Sequence, residues 1–372
     1  MIRFAPFVLL LAPGLPVGEA QERPSQEREE PWEITPDLVR AVDRGLEFLA
    51  RSQESDGSWL GDVGYKLNTS YNVVLENRPH LGVTALAGMA FMAGGNVPGR
   101  GPYGDAIAKG LDWVLSSVTE SGYIRSNESR MYDHAFATLL LAEIYGMTHR
   151  DDVGEKLQRA VDLTIKSQNV EGGWRYEPFA PDSDMSITVC QVVALRSARN
   201  IGIRVPKSTI DKAVDYVRSS AVRDGHAGFP PFESDERGSF RYQRVGQSRS
   251  SWPLTAAGLV TLHGAGVYSG PDVEAGLDYL AREMDRFSMT WGPKGHYFFW
   301  YGHYYAVQAM YIAGGERWRR YFERTRDRLL QMQRPDGSWQ NQAGEGPGTN
   351  FATAVATLVL EIPYRFLPIF QR

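Results

Sequence analysis

The sequence predicts an all-α fold, an α/α toroid ((α/α)6 barrel) of six helical hairpins, and three observations predict it. One spacing occurs three times: a basic residue, Gln nine positions on and Trp six further, at Arg44, Gln53 and Trp59, at Arg159, Gln168 and Trp174, and at Arg324, Gln333 and Trp339. Each of these stretches (RGLEFLARSQESDGSW, RAVDLTIKSQNVEGGW and RTRDRLLQMQRPDGSW) carries an apolar stripe at helical spacing, then a Gly that stops the helix, then the Trp. A second run, apolar on almost every face and rich in Ala, Gly and Thr, follows each first helix and belongs inside.

In chain order, the first element is MIRFAPFVLLLAPGLPVGEA, in which one Arg, an apolar run from Phe4 to Leu11, Pro and the small pair Gly18 and Ala20 precede Gln21. Residues 1–20 thus read as a secretory signal peptide, too short to span a bilayer. Export to the periplasm or the medium is expected, with no transmembrane span in the mature chain. Residues 21–34 are polar, charged and broken by Pro, a linker to a folded body over residues 35–372. A single Cys, Cys190, allows no internal disulfide. The net charge of −4 offers no basic field for nucleic acid.

Within the body, degenerate copies of the frame begin at Lys109, Lys212 and Ala275, with Gly122 and Gly225 falling where Gly57 and Gly172 do. Six units starting at residues 44, 109, 159, 212, 275 and 324 each hold two helices and a loop. The inner runs are HLGVTALAGMAFMAGG, DHAFATLLLAEIYGM, DMSITVCQVVALRSAR, SWPLTAAGLVTLHGAG, HYYAVQAMYIAGG and NFATAVATLVLEI. Six buried helices ringed by six amphipathic ones make the toroid, and the terminal YRFLPIFQR is expected to pack back and close the ring.

The Gln-to-Trp frame with Asp-Gly-Ser-Trp resembles the QW repeat of the terpene cyclase and prenyltransferase superfamily, from about Thr35 to the C-terminus. The resemblance implies a single-toroid member in which Gln and Trp tie neighbouring repeats together, a structural task.

Inner helices running parallel would gather their N-termini, unpaired N–H groups and dipoles at one mouth. His80, Asp133, His134, Asp182, Asp184, Tyr301, His303 and Asn350 lie at these starts, with Trp300 and Tyr304 in the aromatic run HYFFWYGHYYAVQAM. Rings lining a cavity hold an apolar polyene and stabilise a developing carbocation. Pro181-Asp182-Ser183-Asp184-Met185-Ser186 resembles the Asp-x-Asp-Asp-Thr motif of class II terpene cyclases, which implies Asp184 as general acid paired with Asp182; Met185 departs from the motif's third acid. The plain alternative is that Asp182 and Asp184 cap the following helix. Arg237, Arg241 and Arg244, in a loop with Arg249, form a weak candidate for holding an anion. No metal or cofactor is assigned: Cys190 lies inside an apolar run and reads as core.

Three functions follow. The leading one is an exported toroid whose cavity binds an isoprenoid-like ligand, with acid chemistry at Asp184. The second is a non-catalytic scaffold for an unidentified partner in the cell envelope. The third is a carbohydrate-active toroid with Asp133 and Asp184 as paired carboxyls and sugar stacking on Trp300 and Tyr301.

Overall fold

The structure, a computed structural model, describes residues 32–67, 70–148, 150–224, 235–244, 248–289, 298–341 and 346–371. Six outer helices, α1 (Pro36–Arg51), α3 (Gly104–Ser116), α5 (Asp151–Lys166), α7 (Lys207–Ser219), α9 (Pro271–Met289) and α11 (Gly315–Met332), alternate with six inner ones. The inner helices are α2 (Leu81–Ala93), α4 (Met131–Thr148), α6 (Met185–Asn200), α8 (Trp252–Gly264), α10 (Phe299–Ala313) and α12 (Thr349–Glu361).

Patterning decides the two roles. In α1 the buried set is Leu38, Ala41, Val42, Gly45, Leu46 and Leu49, one stripe of a 3.6-residue helix, whereas every residue of α2 is buried. Each inner helix packs on the next around the ring, and α12 returns to α2, so the circle is closed. Each outer helix leans on the inner helix before it in the chain, and α1 accordingly seats on α12. That pairing makes the chain's two ends a single seam.

The repeated Gln, Gly and Trp build the joints. Gln53 Nε2 donates to Gly57 O (3.0 Å) and to Ala106 O of the next outer helix (2.9 Å); Gln168 and Gln333 do the same with Thr209 and Ala41. The Nε1 of Trp59, Trp174 and Trp339 donates to Leu49 O, Thr164 O and Leu329 O at 2.7–2.8 Å, satisfying a carbonyl near each helix end. The turn itself demands glycine. Gly57 has φ +94°, and a Cβ there would stand 2.4 Å from Lys109 O. Gly122, Gly172, Gly238 and Gly337 meet Arg159, Lys212, Ala275 and Arg44 in the same way. Each of these five turns therefore lands on the residue that begins the next repeat.

Several expectations need correction. The expected turn glycine of the fourth repeat, Gly225, lies outside the described residues, and Gly238 occupies the joint. Phe240 stands in for Trp there, its N–H donating to Thr255 Oγ1 as Trp59 N–H does to Thr84. The folded body starts before Thr35, since Trp32 O accepts from Arg326 and Glu33 accepts from Trp318 Nε1 on α11. The terminal segment packs back through buried Leu367, Ile369 and Phe370, but against the far end of the inner barrel, where Ile369 N–H donates to Glu143 (3.3 Å). It covers an end; α1 on α12 closes the ring.

A strand pair not anticipated from the sequence, β1 (Leu60–Leu67) and β2 (Ser70–Pro79), forms an antiparallel hairpin between Trp59 and α2. A shorter pair, β3 (Phe240–Arg241) with β4 (Ser250–Ser251), precedes α8. Among the described residues no helix is long and apolar enough to cross a membrane.

Candidate functional site

The inner helices do begin at one mouth, and a cavity of ≈ 340 Å³ lies there. Its wall is aromatic: Tyr132 and Phe136 from α4, Trp300, Tyr301 and Tyr304 from α10, Tyr176 and Tyr242 from loops. The hairpin forms one side, contributing Val63, Tyr65 and Tyr71. Period-2 alternation (Val63, Tyr65, Leu67; Tyr71, Val73, Leu75) around Asn68-Thr69 was the sequence signal for it. Cations sit on these faces. Arg130 lies 5.4 Å from the Tyr65 ring, and Arg249 lies 5.5 Å from Tyr242 and 5.7 Å from Phe298.

Two acid–base groups line the wall side by side. His80 is the N-cap of α2, its Nδ1 accepting from Val83 N–H (3.4 Å), and Asp133 in the first turn of α4 accepts from Gly82 N–H (3.0 Å). One carboxylate oxygen of Asp133 stands 3.6 Å from His80 Nδ1. Burial raises the Asp133 pKa, opposed by His80 and by backbone N–H groups of Gly82 and Arg130. Asp133 thus keeps its proton to higher pH than an exposed carboxyl, with the Gly82 N–H placed to steady the anion left behind.

His134, its neighbour in sequence, points the other way. One residue on a helix is a turn of about 100°, so His134 reaches outward, accepting from Ile124 N–H (3.1 Å) and meeting Thr164 Oγ1 on α5 (3.0 Å). Full burial pushes it down to about 4. It joins repeats and does not face the cavity. His303 likewise turns from the cavity to Tyr321 on α11 (2.8 Å), while Tyr301 and Tyr304 on α10 face inward. Asn350 donates to Leu60 O (3.0 Å), tying α12 to the hairpin beside the cavity rather than lining it.

Asp184 is fully buried and lies behind the wall. It caps α6, accepting from Ser186 Oγ (2.5 Å) and Ile187 N–H (2.9 Å), while its other oxygen takes Tyr242 OH and Arg175, each at 3.2 Å. Burial raises its pKa and those four donors oppose the rise. Asp182 does not pair with it: Asp182 is exposed and meets Arg175 at 3.4 Å, so the guanidinium bridges the two carboxyls. The capping role is the one the geometry realises, and no donor-free face of Asp184 meets the cavity.

The Arg cluster separates as well. Arg237 is exposed and paired with Asp235 (2.7 Å), Arg241 donates to Ala221 O (3.3 Å), and Arg244 is exposed. Of that loop's arginines, Arg249 alone lines the cavity. Cys190 is buried core, 3.0 Å from Tyr305 OH, its thiol pushed up to about 12 by burial. Among the described residues no three His, Cys, Asp or Glu side chains converge as metal ligands would.

No protein-family model matches the chain, and no curated protein matches it in sequence. Solved structures do. The type II terpene cyclase MstE from Scytonema aligns at TM-score 0.56 and 13% identity over 90% of this chain and 100% of that one. An alpha-1,6-mannanase of Salegentibacter sp. HEL1_6 aligns at TM-score 0.58 and 10% identity, covering 87% and 98%. A protein from Actinoplanes gives 0.53 and 15%, covering 88% and 99%. The fold is an α/α toroid, shared with these terpene cyclase and mannanase structures.

Proposed function

We propose that the protein is an exported toroid whose mouth cavity binds an apolar, isoprenoid-like ligand and protonates it from Asp133. The observation that carries this reading is the pairing of a largely aromatic wall with one buried carboxyl–imidazole couple, Asp133 and His80, on its surface. Such a wall gives a polyene apolar contact and gives a developing cation the negative faces of the rings. Burial keeps the proton on Asp133 to higher pH than on an exposed carboxyl, so the group is retained in its donor form. In that step a C–H bond forms as the Asp133 O–H bond breaks. The remaining carboxylate is stabilised by the Gly82 N–H.

The same toroid hosts MstE, solved also with its substrate geranylgeranyl dihydroxybenzoate; that precedent supports the ligand class. Export rests on residues 1–20 of the sequence. The carbohydrate reading needs two carboxyls facing one cleft, and Asp184 lies behind the wall, saturated by donors. An open cavity at the mouth also sets the protein apart from a filled scaffold.

Native mass spectrometry of the purified mature protein, with and without added geranylgeraniol, tests the reading. A retained or added polyprenyl mass on the folded protein is the expected result, together with loss of proton-dependent turnover in Asp133→Asn at unchanged binding. A cavity that takes no polyprenyl compound, or full turnover by that variant, overturns it.

A further inference from the structure

A second cavity, of ≈ 330 Å³, opens at the opposite end of the ring, where the inner helices finish. It is walled by Arg196 of α6, His263 of α8, Glu274 and Leu277 of α9, Ala313 of α10 and Arg317 of α11, among others. This site stands independently of the mouth and of the function proposed for it.

Three features single it out. His263 is 1% exposed, yet its Nδ1 has no hydrogen-bond partner, a state that native structures avoid for buried polar atoms. Arg196, half-buried, makes no hydrogen bond or ion pair among the described residues, and its stem lies over Gly264, where a Cβ would come within 3.4 Å of Cδ. Outer helix α11 begins beside the cavity with no side-chain cap at Gly314, and the acid of its first turn, Glu316, is exposed.

The other charges here are already matched. Arg317 meets Glu274 at 3.2 Å and Asp278 at 2.7 Å, so that cation and the one carboxylate of the wall are spoken for. The guanidinium left without a salt-bridge partner is Arg196, whose field reaches buried Glu143. Burial, and after it the field of Arg196, holds His263 down at about 4, and a neutral ring in its Nδ1–H tautomer donates from that atom without being charged. Tyr268 stacks on that ring, centroids 5.9 Å apart and planes at 18°, and Leu277, Ile312 and Ala313 supply an apolar side.

We propose that this far-end cavity binds a small anion, a molecule bearing a phosphate or carboxylate group, with the anionic oxygens on Arg196 and His263 Nδ1–H and its carbon part against Leu277 and Ile312. An oxyanion answers both vacancies at once, since it accepts from a guanidinium fork and from an imidazole N–H together.

Thermal unfolding of the full mature chain, titrated with inorganic phosphate or with acetate against sodium chloride of equal ionic strength, tests the site. A saturable rise of a few degrees is expected with at least one of the two anions and not with chloride. Phosphate alone would identify a phosphorylated ligand, and acetate alone a carboxylic acid. Arg196→Gln should abolish the rise, and Arg196→Lys should keep part of it. If Arg196→Gln fails to fold, the His263 ring signals of the wild-type protein decide: the anion should move them and raise the ring's pKa. Equal shifts in chloride, equal binding by Arg196→Gln, or unmoved His263 signals would overturn the proposal.

Discussion

The two ends of this ring are made by the same helices and differ in what their titratable groups do, although each end also holds buried polar atoms without a partner, Tyr304 OH and Ser167 Oγ at the mouth among them. At the mouth, the fold puts side chains to use: His80 caps α2, Asp184 caps α6, Ser251 caps α8, and Asp133 accepts from the Gly82 N–H in the first turn of α2. At the far end several are left unanswered. Both carboxylate oxygens of Glu361 and the Nδ1 of His263 are buried without partners, although Glu143 is satisfied by Ser197 and Ile369. The joints explain the asymmetry. Every Gln, Gly and Trp turn lies at the mouth end, where an outer helix stops and an inner one starts, whereas the far end is covered by a C-terminal segment that occurs once.

If the joints hold the mouth together, removing one should produce the largest effect. Trp59→Ala or Trp339→Ala deletes a fully buried indole and its bond to a helix-end carbonyl, and should cost about 3–5 kcal/mol. Denaturant unfolding measures it. A cost under about 0.5 kcal/mol, the level of a surface substitution, would break the claim that closure is concentrated there.

The buried histidines compare the two ends under acid. His134 at the mouth end and His263 at the far end both fall from 6.5 to about 4 in the folded state. The native protein then binds fewer protons than the unfolded chain between those values, so stability present above pH 6.5 is lost as pH drops through the window. The loss is roughly 3 kcal/mol per ring. Saturating anion at the far end should shrink the His263 share and leave that of His134 untouched. Stability against pH for His134→Gln and His263→Gln, with and without phosphate, measures each share. Identical phosphate sensitivity in both variants would erase the difference between the ends.

Much of this was legible in the sequence because it is repeated. The Arg, Gln, Gly and Trp frame fixes the joints, and its starts at Arg44, Lys109, Arg159, Lys212 and Ala275 are the residues on which the preceding turns land. What occurs once was harder to see. The β1–β2 hairpin interrupts the first repeat with a period of two, and the insertion before Gly238 displaces the fourth turn. At the site, helical position told which residues start inner helices but not which way each faces. Asp133 and His134 are adjacent, and rotation about the helix sends one into the cavity and the other out toward α5. The acid motif misled for a similar reason. Asp184 has the spacing of an acid and the surroundings of a cap.

That distinction gives a smaller, separable effect. Asp184→Ala should lower stability by about 1 kcal/mol through loss of the α6 cap, with a further loss from leaving Arg175 without its buried partner. Asp133→Asn keeps a side-chain oxygen for Gly82 N–H and should be nearly neutral in stability. Ligand turnover should show the reverse order. If Asp184→Ala abolishes turnover at unchanged stability, the acid lies behind the wall and the mouth has been read from the wrong side.

The smallest expected effect is a gain, and it belongs to the far end. Glu361 is 1% exposed with neither oxygen bonded, and burial, reinforced by the charge of Asp43, pushes its pKa well above the ordinary carboxylate range. A raised folded pKa means that the native state holds this proton more tightly than the unfolded chain, so stability falls as pH rises from the ordinary value through the folded one. Glu361→Gln keeps the shape and removes the charge. It should therefore flatten that part of the pH profile and leave the variant more stable than the wild type at neutral and alkaline pH, with little difference in acid. Unfolding free energy from pH 5 to pH 9 for both proteins measures the gain. A variant less stable than the wild type across that range would mean that Glu361 has a partner.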